Sequence, residues 1–199
     1  MSILTTKNTS DFLLTKKITI RDAKQWMAAK DDNARIRLIG LIRLLFSNRY
    51  LRQLEKIDSS FLRMAVACLM IETLESFKQG KKDTKTISAK MFRQFFHAER
   101  NLFPGFEKIA DDFYTSVRCG IFYEGEPTNE WRISDAGAIL NADSKQINSV
   151  LVTAALEQSL KHYLESLETA DFTDAIWKRA INKLEGICDN CDSRRRSSC

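Results

Sequence analysis

Glycine and proline are scarce in this sequence, which has 7 Gly and 2 Pro among 199 residues. Because these two residues are the usual breakers of regular structure, their scarcity leaves little room for long irregular loops. Hydrophobic residues make up 44% of the chain, enough to build a buried core without disulfides. The composition therefore predicts long helices in one domain, or in one domain with an appendage.

Long apolar runs are also missing. The longest one, residues 64–71, is far shorter than the roughly 18 apolar residues that indicate a transmembrane helix. No secretion signal is recognised, and the number of cysteines is odd. Both features favour a reducing compartment, so we expect a cytoplasmic protein without a membrane segment. The five cysteines are Cys68, Cys119, Cys188, Cys191 and Cys199.

Several signatures of catalysis and cofactor binding are absent. The sequence has no Walker phosphate loop, no Rossmann glycine fingerprint, no zincin histidine pair and no serine-centred nucleophile elbow. His97 and His162 are the only histidines. Cys188 and Cys191 form a single C-x2-C pair, whereas a structural zinc site needs four ligands. We therefore expect no cofactor and no bound metal.

The positive charge is modest and uneven. The net charge is +5, and three adjacent arginines, residues 194–196, carry more than half of it. Such a balance permits contact with phosphate groups without requiring it. Four further arginines follow one another along one predicted helical stretch: Arg35, Arg43, Arg49 and Arg52. Their spacings of 8, 6 and 3 residues spread them over several faces, which favours solvated faces and ion pairs over a track for RNA.

Apolar periodicity and capping residues predict six or seven helices. Helix starts are marked by residues that cap a helix N-terminus: Thr19, Asp31, Ser59 or Ser60, and Ser88. Further helices are expected over residues 106–121 and 147–168, and the last one ends at Glu185. Two β-prone runs, residues 131–134 and 138–140, flank Asp135-Ala136-Gly137 and predict a small hairpin.

The expected organisation has three parts. Residues 1–18 form a loosely ordered N-terminal segment, residues 19–186 a helical domain, and residues 187–199 a polar tail with cysteines and arginines. The fold class is all-α, a helical bundle with a short β-hairpin insert.

One run carries a recognisable motif. Asp112-Phe113-Tyr114 precedes Arg118-Cys119-Gly120-Ile121-Phe122-Tyr123. This resembles the signature of HEPN-family helical proteins, in which an arginine is followed a few residues later by a histidine. A bacterial subgroup of that family has Arg-Cys-Gly-Ile/Leu-x-His, preceded by Asp-Phe-Tyr. The chain matches that pattern up to the last position, where Tyr123 stands instead of histidine.

The resemblance implies a HEPN-like bundle and an activity on RNA. In the ribonucleases of the family, the arginine binds the scissile phosphate, the histidine moves protons, and the ribose 2′-OH attacks without a metal. By that resemblance Arg118 would hold a phosphate, as a guanidinium does well. Tyr123 would then take over proton transfer or contact the ligand, and Glu124 or Glu126 could supply a carboxylate.

Each of these residues also has a purely structural interpretation. Arg118 could pair with Asp111, Asp112 or a carboxylate in another helix. Tyr123 could pack at the mouth of the bundle, and the two glutamates could be solvated charges of a turn. Either histidine could instead meet Arg118 in space.

Two functions follow as expectations. The first is a HEPN-like RNA-directed protein, a metal-independent endoribonuclease with a degenerate Arg-x4-Tyr motif, in a toxin–antitoxin or anti-phage system. The second is a non-catalytic helical interaction protein, or a nucleotide- or RNA-binding protein, that has lost the chemistry. The resemblance also implies a homodimer that joins two copies of the motif. An RNA-cleavage assay discriminates the two functions.

Overall fold

The structure, a computed structural model, describes residues 12–193, with the backbone alone for the last two of them. Within this range the protein is mostly helical and carries one small sheet. The helices are α1 (Ile20–Ala29), α2 (Asp32–Phe46), α3 (Ser60–Gln79), α4 (Ser88–Ala98), α5 (Ala110–Asp112), α6 (Ser149–Thr169) and α7 (Ala175–Ser193). The strands are β1 (Arg132–Ser134), β2 (Leu140–Asn141) and β3 (Gln146–Asn148).

Two helices continue in a wider, π-helical form. After α2 the chain forms the π-helical segment Ser47–Leu51 and a last turn, Arg52–Leu54. A 3₁₀ turn, Phe106–Lys108, precedes α5, which continues through the π-helical segments Phe113–Arg118 and Gly120–Glu124. Such segments are rare in proteins and occur often at functional sites.

Most of the predicted helix starts are confirmed. Thr19 forms a capping box with Asp22, because each backbone N–H donates to the other residue's side chain. Asp31 and Ser59 accept bonds from the first turns of α2 and α3. The prediction for Ser88 is wrong: it is the first residue of α4, its side chain is buried, and the preceding residue makes no side-chain cap.

The predicted pairing of the hairpin is wrong. Strand β3 lies between the other two, parallel to β1 and antiparallel to β2. Ile147 is fully buried, so it belongs to a central strand and not to the following helix, where the sequence had placed it. The helix α6 begins two residues later, and Asn148 caps it by accepting bonds from the N–H groups of Val150 and Leu151. The hairpin that does form joins β2 and β3.

Helix α3 lies at the centre of the bundle. It packs against α4, α6 and α7, and the β1 strand also contacts it. Its buried residues run from Met64 to Phe77 and are apolar except for Glu75 and Ser76. The core therefore forms around α3, and the residues on its remaining face are available to a site at the surface.

The last helix is longer than the sequence predicts, and the described segment before α1 contacts the core. Helix α7 continues past residue 186. Cys188 is buried in the core on the same helix as Trp177 and Leu184, which are also buried there. The part of the predicted tail from residue 187 to 193 is thus a helix, because its apolar spacing extends that of α7. At the other end Leu14 is buried, and Ile20 N–H donates to Phe12 O at 2.9 Å. Residues 1–11 and 194–199 lie outside the described range.

No helix in the described part of the chain is both long and apolar enough to cross a membrane.

Glu75 is a buried carboxylate on α3. Its Oε1 accepts a bond from Gln79 at 2.8 Å, and its Oε2 has no partner among the described residues. Burial raises the pKa of Glu75 to about 6, from an ordinary value of 4.5. The folded protein therefore binds this proton more tightly than the unfolded chain. The stability that the proton supplies is full below pH 4.5 and is lost as the pH rises through about 6.

Replacing Glu75 with glutamine should remove this loss. We expect Glu75→Gln to raise the free energy of unfolding at pH 7 by about 2 kcal/mol and to leave it nearly unchanged below about pH 4.5. Urea denaturation of both proteins at the two pH values measures the difference. Glu157→Gln, at an exposed position of α6, is the matched control and should have little effect at either pH. An equal effect of Glu75→Gln at both pH values would contradict the assignment.

Candidate functional site

The motif lies on the π-helical continuation of α5. Phe113 and Val117 are buried beneath it, whereas Arg118 ends the first π-helical segment at the surface of the bundle. The second segment carries Phe122, Tyr123 and Glu124. The two ends of the motif are thus held on one continuous helical support.

The chain after the motif folds back onto it. Asp112 accepts a bond from Ser116 Oγ at 2.6 Å and another from Trp131 Nε1 at 2.9 Å. Thr128 N–H donates to Ser116 O at 2.8 Å, and Asn129 Nδ2 donates to Ser116 Oγ at 2.9 Å. Asp112 is therefore a structural residue that fixes the returning loop, and it is not the partner of Arg118.

Gly120 allows this loop to approach. A Cβ atom at this position would lie 2.5 Å from the backbone oxygen of Glu126, a distance that real Cβ atoms essentially never show. The loop and the helix can meet here only because residue 120 has no side chain.

Arg118 makes two polar contacts. Its Nη2 lies 3.5 Å from Glu72 Oε2, on α3, and its Nη1 donates to Tyr123 OH at 3.3 Å. Glu72 is itself held, because its Oε1 accepts a 2.6 Å bond from Thr84 Oγ1. The structural interpretation of Arg118, an ion pair with a carboxylate of another helix, is thus present together with the contact between the two ends of the motif.

Three aromatic rings surround the same guanidinium. Its central carbon lies 5.6 Å from the ring centre of Tyr114, 5.1 Å from that of Phe122 and 5.7 Å from that of Tyr123. These distances are within the range of cation–π attraction. The side chain of Arg118 is 16% exposed, whereas Phe122 and Tyr123 are 38% and 72% exposed. We call Arg118, Glu72, Tyr114, Phe122 and Tyr123 the Arg118 centre.

The charges of the Arg118 centre are balanced. Burial opposes the charge of Arg118, but the Tyr123 hydrogen bond and the Glu72 carboxylate outweigh it and raise the arginine pKa. Burial lowers the pKa of Lys183, on α7, and the nearby Glu72 carboxylate opposes this with a smaller effect. With Arg118 and Glu72 both ionised, the pair has no net charge. An anion that binds here must therefore compete with Glu72 for the guanidinium.

Glu124 and Glu126 lie beside the Arg118 centre and outside it. Both are exposed, and both line a shallow pocket of about 420 Å³ together with Tyr123 and Thr128. Two carboxylates in one pocket repel a phosphate group. The sequence had suggested that one of these glutamates could supply a carboxylate to the site; the structure places both in the pocket that Tyr123 also lines.

Neither histidine takes part in the Arg118 centre. His162 is exposed on α6, and its ring nitrogen lies 2.7 Å from Gln158 Nε2. His97 is exposed near the end of α4. Cys68 lies beneath the centre, where burial raises the pKa of its thiol and so disfavours a thiolate. Across residues 12–193, no group of three or more His, Cys, Asp or Glu side chains is arranged to hold a metal ion.

Sequence reasoning found Arg118 and Tyr123 but missed Glu72. The glutamate stands 46 residues before its partner, on another helix. In the sequence it was visible only as one of two glutamates of the predicted helix, Glu72 and Glu75.

Comparisons with known proteins add no relative. No protein-family model matches the chain, and it matches no curated protein and no solved structure. What the structure defines is a mostly helical protein with a small three-stranded sheet and an arginine centre at the surface.

Proposed function

We propose that the protein is a HEPN-like RNA-directed protein in which Arg118 binds a phosphate group of RNA or of a nucleotide. The observation that supports this most is the contact between the two ends of the motif, Arg118 Nη1 and Tyr123 OH. Residues five apart need not meet in an ordinary helix, since neighbours on a helix face are three or four apart. Here the π-helical form brings them onto one face.

The guanidinium keeps binding capacity for a phosphate. An arginine has five N–H donors, and the described contacts use one on Tyr123 and one on Glu72. The contact with Glu72 is long, at 3.5 Å, so it is a weak competitor for a bidentate phosphate. The exposed rings of Phe122 and Tyr123 offer faces on which a base can stack.

Cleavage by this centre should be weak. In the metal-free reaction the 2′ oxygen attacks phosphorus, the bond from phosphorus to the 5′ oxygen breaks, and a proton passes from the 2′-OH to the leaving oxygen. Arg118 would stabilise the phosphate charge in that reaction. A proton-transfer group that titrates near neutral pH is what histidine supplies in the family, and Tyr123 occupies its position.

The non-catalytic alternative has its own support. Glu72 pairs with Arg118 and neutralises it, as it would in a site kept for structural reasons. Under this alternative the protein binds RNA or a nucleotide, or another protein, without chemistry. The homodimer remains part of the proposal, with the exposed Phe122 and Tyr123 of each copy near the joint, and so does a role in a toxin–antitoxin or anti-phage system.

Two charge-neutralising variants test phosphate binding in opposite directions. Arg118→Gln should weaken the binding of single-stranded RNA by about tenfold, because it removes charge-assisted hydrogen bonds. Glu72→Gln should strengthen binding, because it removes the competing carboxylate. Fluorescence anisotropy with a labelled oligonucleotide measures both changes.

Arg93→Gln is the matched control for these variants. Arg93 also pairs with an acidic residue, Asp111, at 2.5 Å, but it lies outside the Arg118 centre. Its replacement should leave RNA affinity within about twofold of the wild type, as a single surface charge does. If Arg93→Gln and Arg118→Gln weaken binding equally, or if Arg118→Gln has no effect, Arg118 is not a phosphate-binding residue.

A further inference from the structure

A second positively charged feature lies at the end of α2. The π-helical segment Ser47–Leu51 and the turn after it form one wall of a groove of about 340 Å³. The segment before α1 forms the other wall. We call this the basic groove; it is lined by Leu14, Thr15, Lys16, Leu44, Leu45, Asn48, Arg49, Arg52, Gln53 and Lys56.

The lining of the basic groove is cationic on both walls. Lys16 comes from one wall, and Arg49, Arg52 and Lys56 come from the other; among residues 12–193, no carboxylate lines the groove. The three residues of the helical wall recur at spacings of 3 and 4, which places them on one face. Leu14 and Leu45 are buried beneath them and fix the floor.

Two arginines of α2 form ion pairs of a kind that the cations of the basic groove lack. Arg35 pairs with Asp32 and Arg43 with Glu168, each at 3.2 Å. Among residues 12–193, no ion pair joins Arg49, Arg52 or Lys56 to a carboxylate. Like charges held together without a counter-charge repel one another, so an anion bound between them stabilises the arrangement.

The basic groove lies close to the Arg118 centre. Tyr50, next to Arg49, has its hydroxyl 2.9 Å from Thr73 Oγ1, and Thr73 follows Glu72, the partner of Arg118. The basic groove and the Arg118 centre therefore lie on either side of a single contact between the π-helical segment Ser47–Leu51 and α3. Grooves that track the backbone of a single strand span several nucleotides, so one short strand can contact both.

We propose that the basic groove binds consecutive backbone phosphates of single-stranded RNA next to the phosphate held by Arg118. The proposal rests on the proposed function for its choice of RNA. Charge supports the occupant: the described lining has four cations and no acid, which suits a polyanion, and amides of Asn48 and Gln53 add donors for phosphate or sugar oxygens. Contacts of this kind carry no base preference, so binding should depend on salt more than on sequence.

The test compares two double variants of equal charge. Arg49→Gln/Arg52→Gln removes two groove cations, and Arg35→Gln/Arg43→Gln removes two paired arginines of the same helix. For the groove variant we expect about a tenfold loss of affinity for a labelled single-stranded RNA dodecamer. The slope of log affinity against log salt should also shrink by about 1.4, since each phosphate contact on a single strand contributes about 0.7. The control variant should change the affinity by less than about threefold.

The outcomes separate this inference from the proposed function. If the groove variant weakens RNA binding and Arg118→Gln does not, the proposal for the groove is upheld and the role of Arg118 is overturned. If Arg118→Gln weakens RNA binding and the groove variant does not, the proposal for the groove is overturned. Equal losses in the two double variants overturn it as well, because they show an effect of net charge alone.

Inorganic tripolyphosphate distinguishes RNA from a free phosphate ligand. We expect it to compete with the RNA for the wild type and to bind the groove variant less well. Tripolyphosphate binding without RNA binding would overturn the choice of RNA. If the groove variant does not fold, as judged by circular dichroism, Lys16→Gln/Lys56→Gln makes the same comparison from both walls.

Discussion

Replacing Tyr123 with histidine should raise metal-independent RNA cleavage by about a hundredfold or more over the wild type. A positioned acid–base group contributes about 10²–10⁴-fold to a reaction of this kind. The wild type should therefore show cleavage that is weak or undetectable, and the variant should show a clear gain. The assay is cleavage of mixed RNA with EDTA present, because the reaction implied by the resemblance needs no metal.

The physical basis of this gain lies in the position of residue 123. Its hydroxyl is 3.3 Å from the guanidinium that would hold the phosphate, and its side chain is largely exposed. An imidazole changes its charge near neutral pH and so can both accept and donate a proton, which a phenol does poorly. Histidine on the same helical support would place that group within reach of a phosphate bound by Arg118.

Two further variants make the expected gain specific. Arg118→Ala in the Tyr123→His background should abolish it, because the phosphate is then no longer held. Tyr123→Phe, which keeps the ring and removes the hydroxyl, should cleave no better than the wild type. Strong wild-type cleavage that is indifferent to Arg118→Ala would show that the motif is not an active site. No cleavage by the wild type or by Tyr123→His would favour the non-catalytic alternative.

Local features of the fold could be predicted from the sequence. The caps at Thr19, Asp31 and Ser59 were found because each side chain bonds to a backbone group only a few residues away. Gly80 ends α3 with a left-handed backbone, at φ of 64°, where other residues are strained, and a glycine after an apolar periodic run is a local signal of a helix end. A signal of this kind is contained in a short window of sequence.

Pairings across the chain could not be predicted in this way. Strand β3 has three residues, too few for a periodic signal, and its place between β1 and β2 is decided by the burial of Ile147. The end of α7 was missed because Asp189 and Asn190 gave the region a polar composition, although Cys188 continues the buried face. In each case tertiary packing decided the outcome, and local composition pointed elsewhere.

The residues of the candidate site also include some that the local sequence predicts and some that it does not. Arg118 and Tyr123 were found because the motif is contiguous, whereas Glu72 is one of 26 acidic residues and nothing local distinguishes it. The spread of the arginines along α2 was interpreted on the geometry of a regular helix. The structure shows that Arg35 and Arg43 do form ion pairs, and that Arg49 and Arg52, three residues apart, line one groove.

Phe96 stands at the centre of a cluster of rings that supports the motif helix. It is fully buried, on α4, and its ring centre lies 4.9–6.2 Å from those of five neighbours. Those neighbours are Phe92, Phe95, Phe103, Phe106 and Phe113. Phe113 begins the π-helical segment that ends at Arg118, so the cluster joins α4 to the candidate site.

Phe96→Ala should lower the free energy of unfolding by about 3–5 kcal/mol, through lost burial and the cavity that remains. Ring pairs add about 0.5–1.5 kcal/mol each beyond the buried area, which favours the upper part of that range here. Denaturant unfolding at pH 7 measures the loss, and Phe96→Leu, which keeps most of the volume, should lose about 1–2 kcal/mol. A loss below about 1 kcal/mol for Phe96→Ala would show that the rings are not closely packed.

Because a domain of this size has a total stability of about 5–15 kcal/mol, the alanine variant should also unfold locally around Phe113. Its affinity for RNA should then fall although no residue that contacts the phosphate has changed, and Phe96→Leu should retain it.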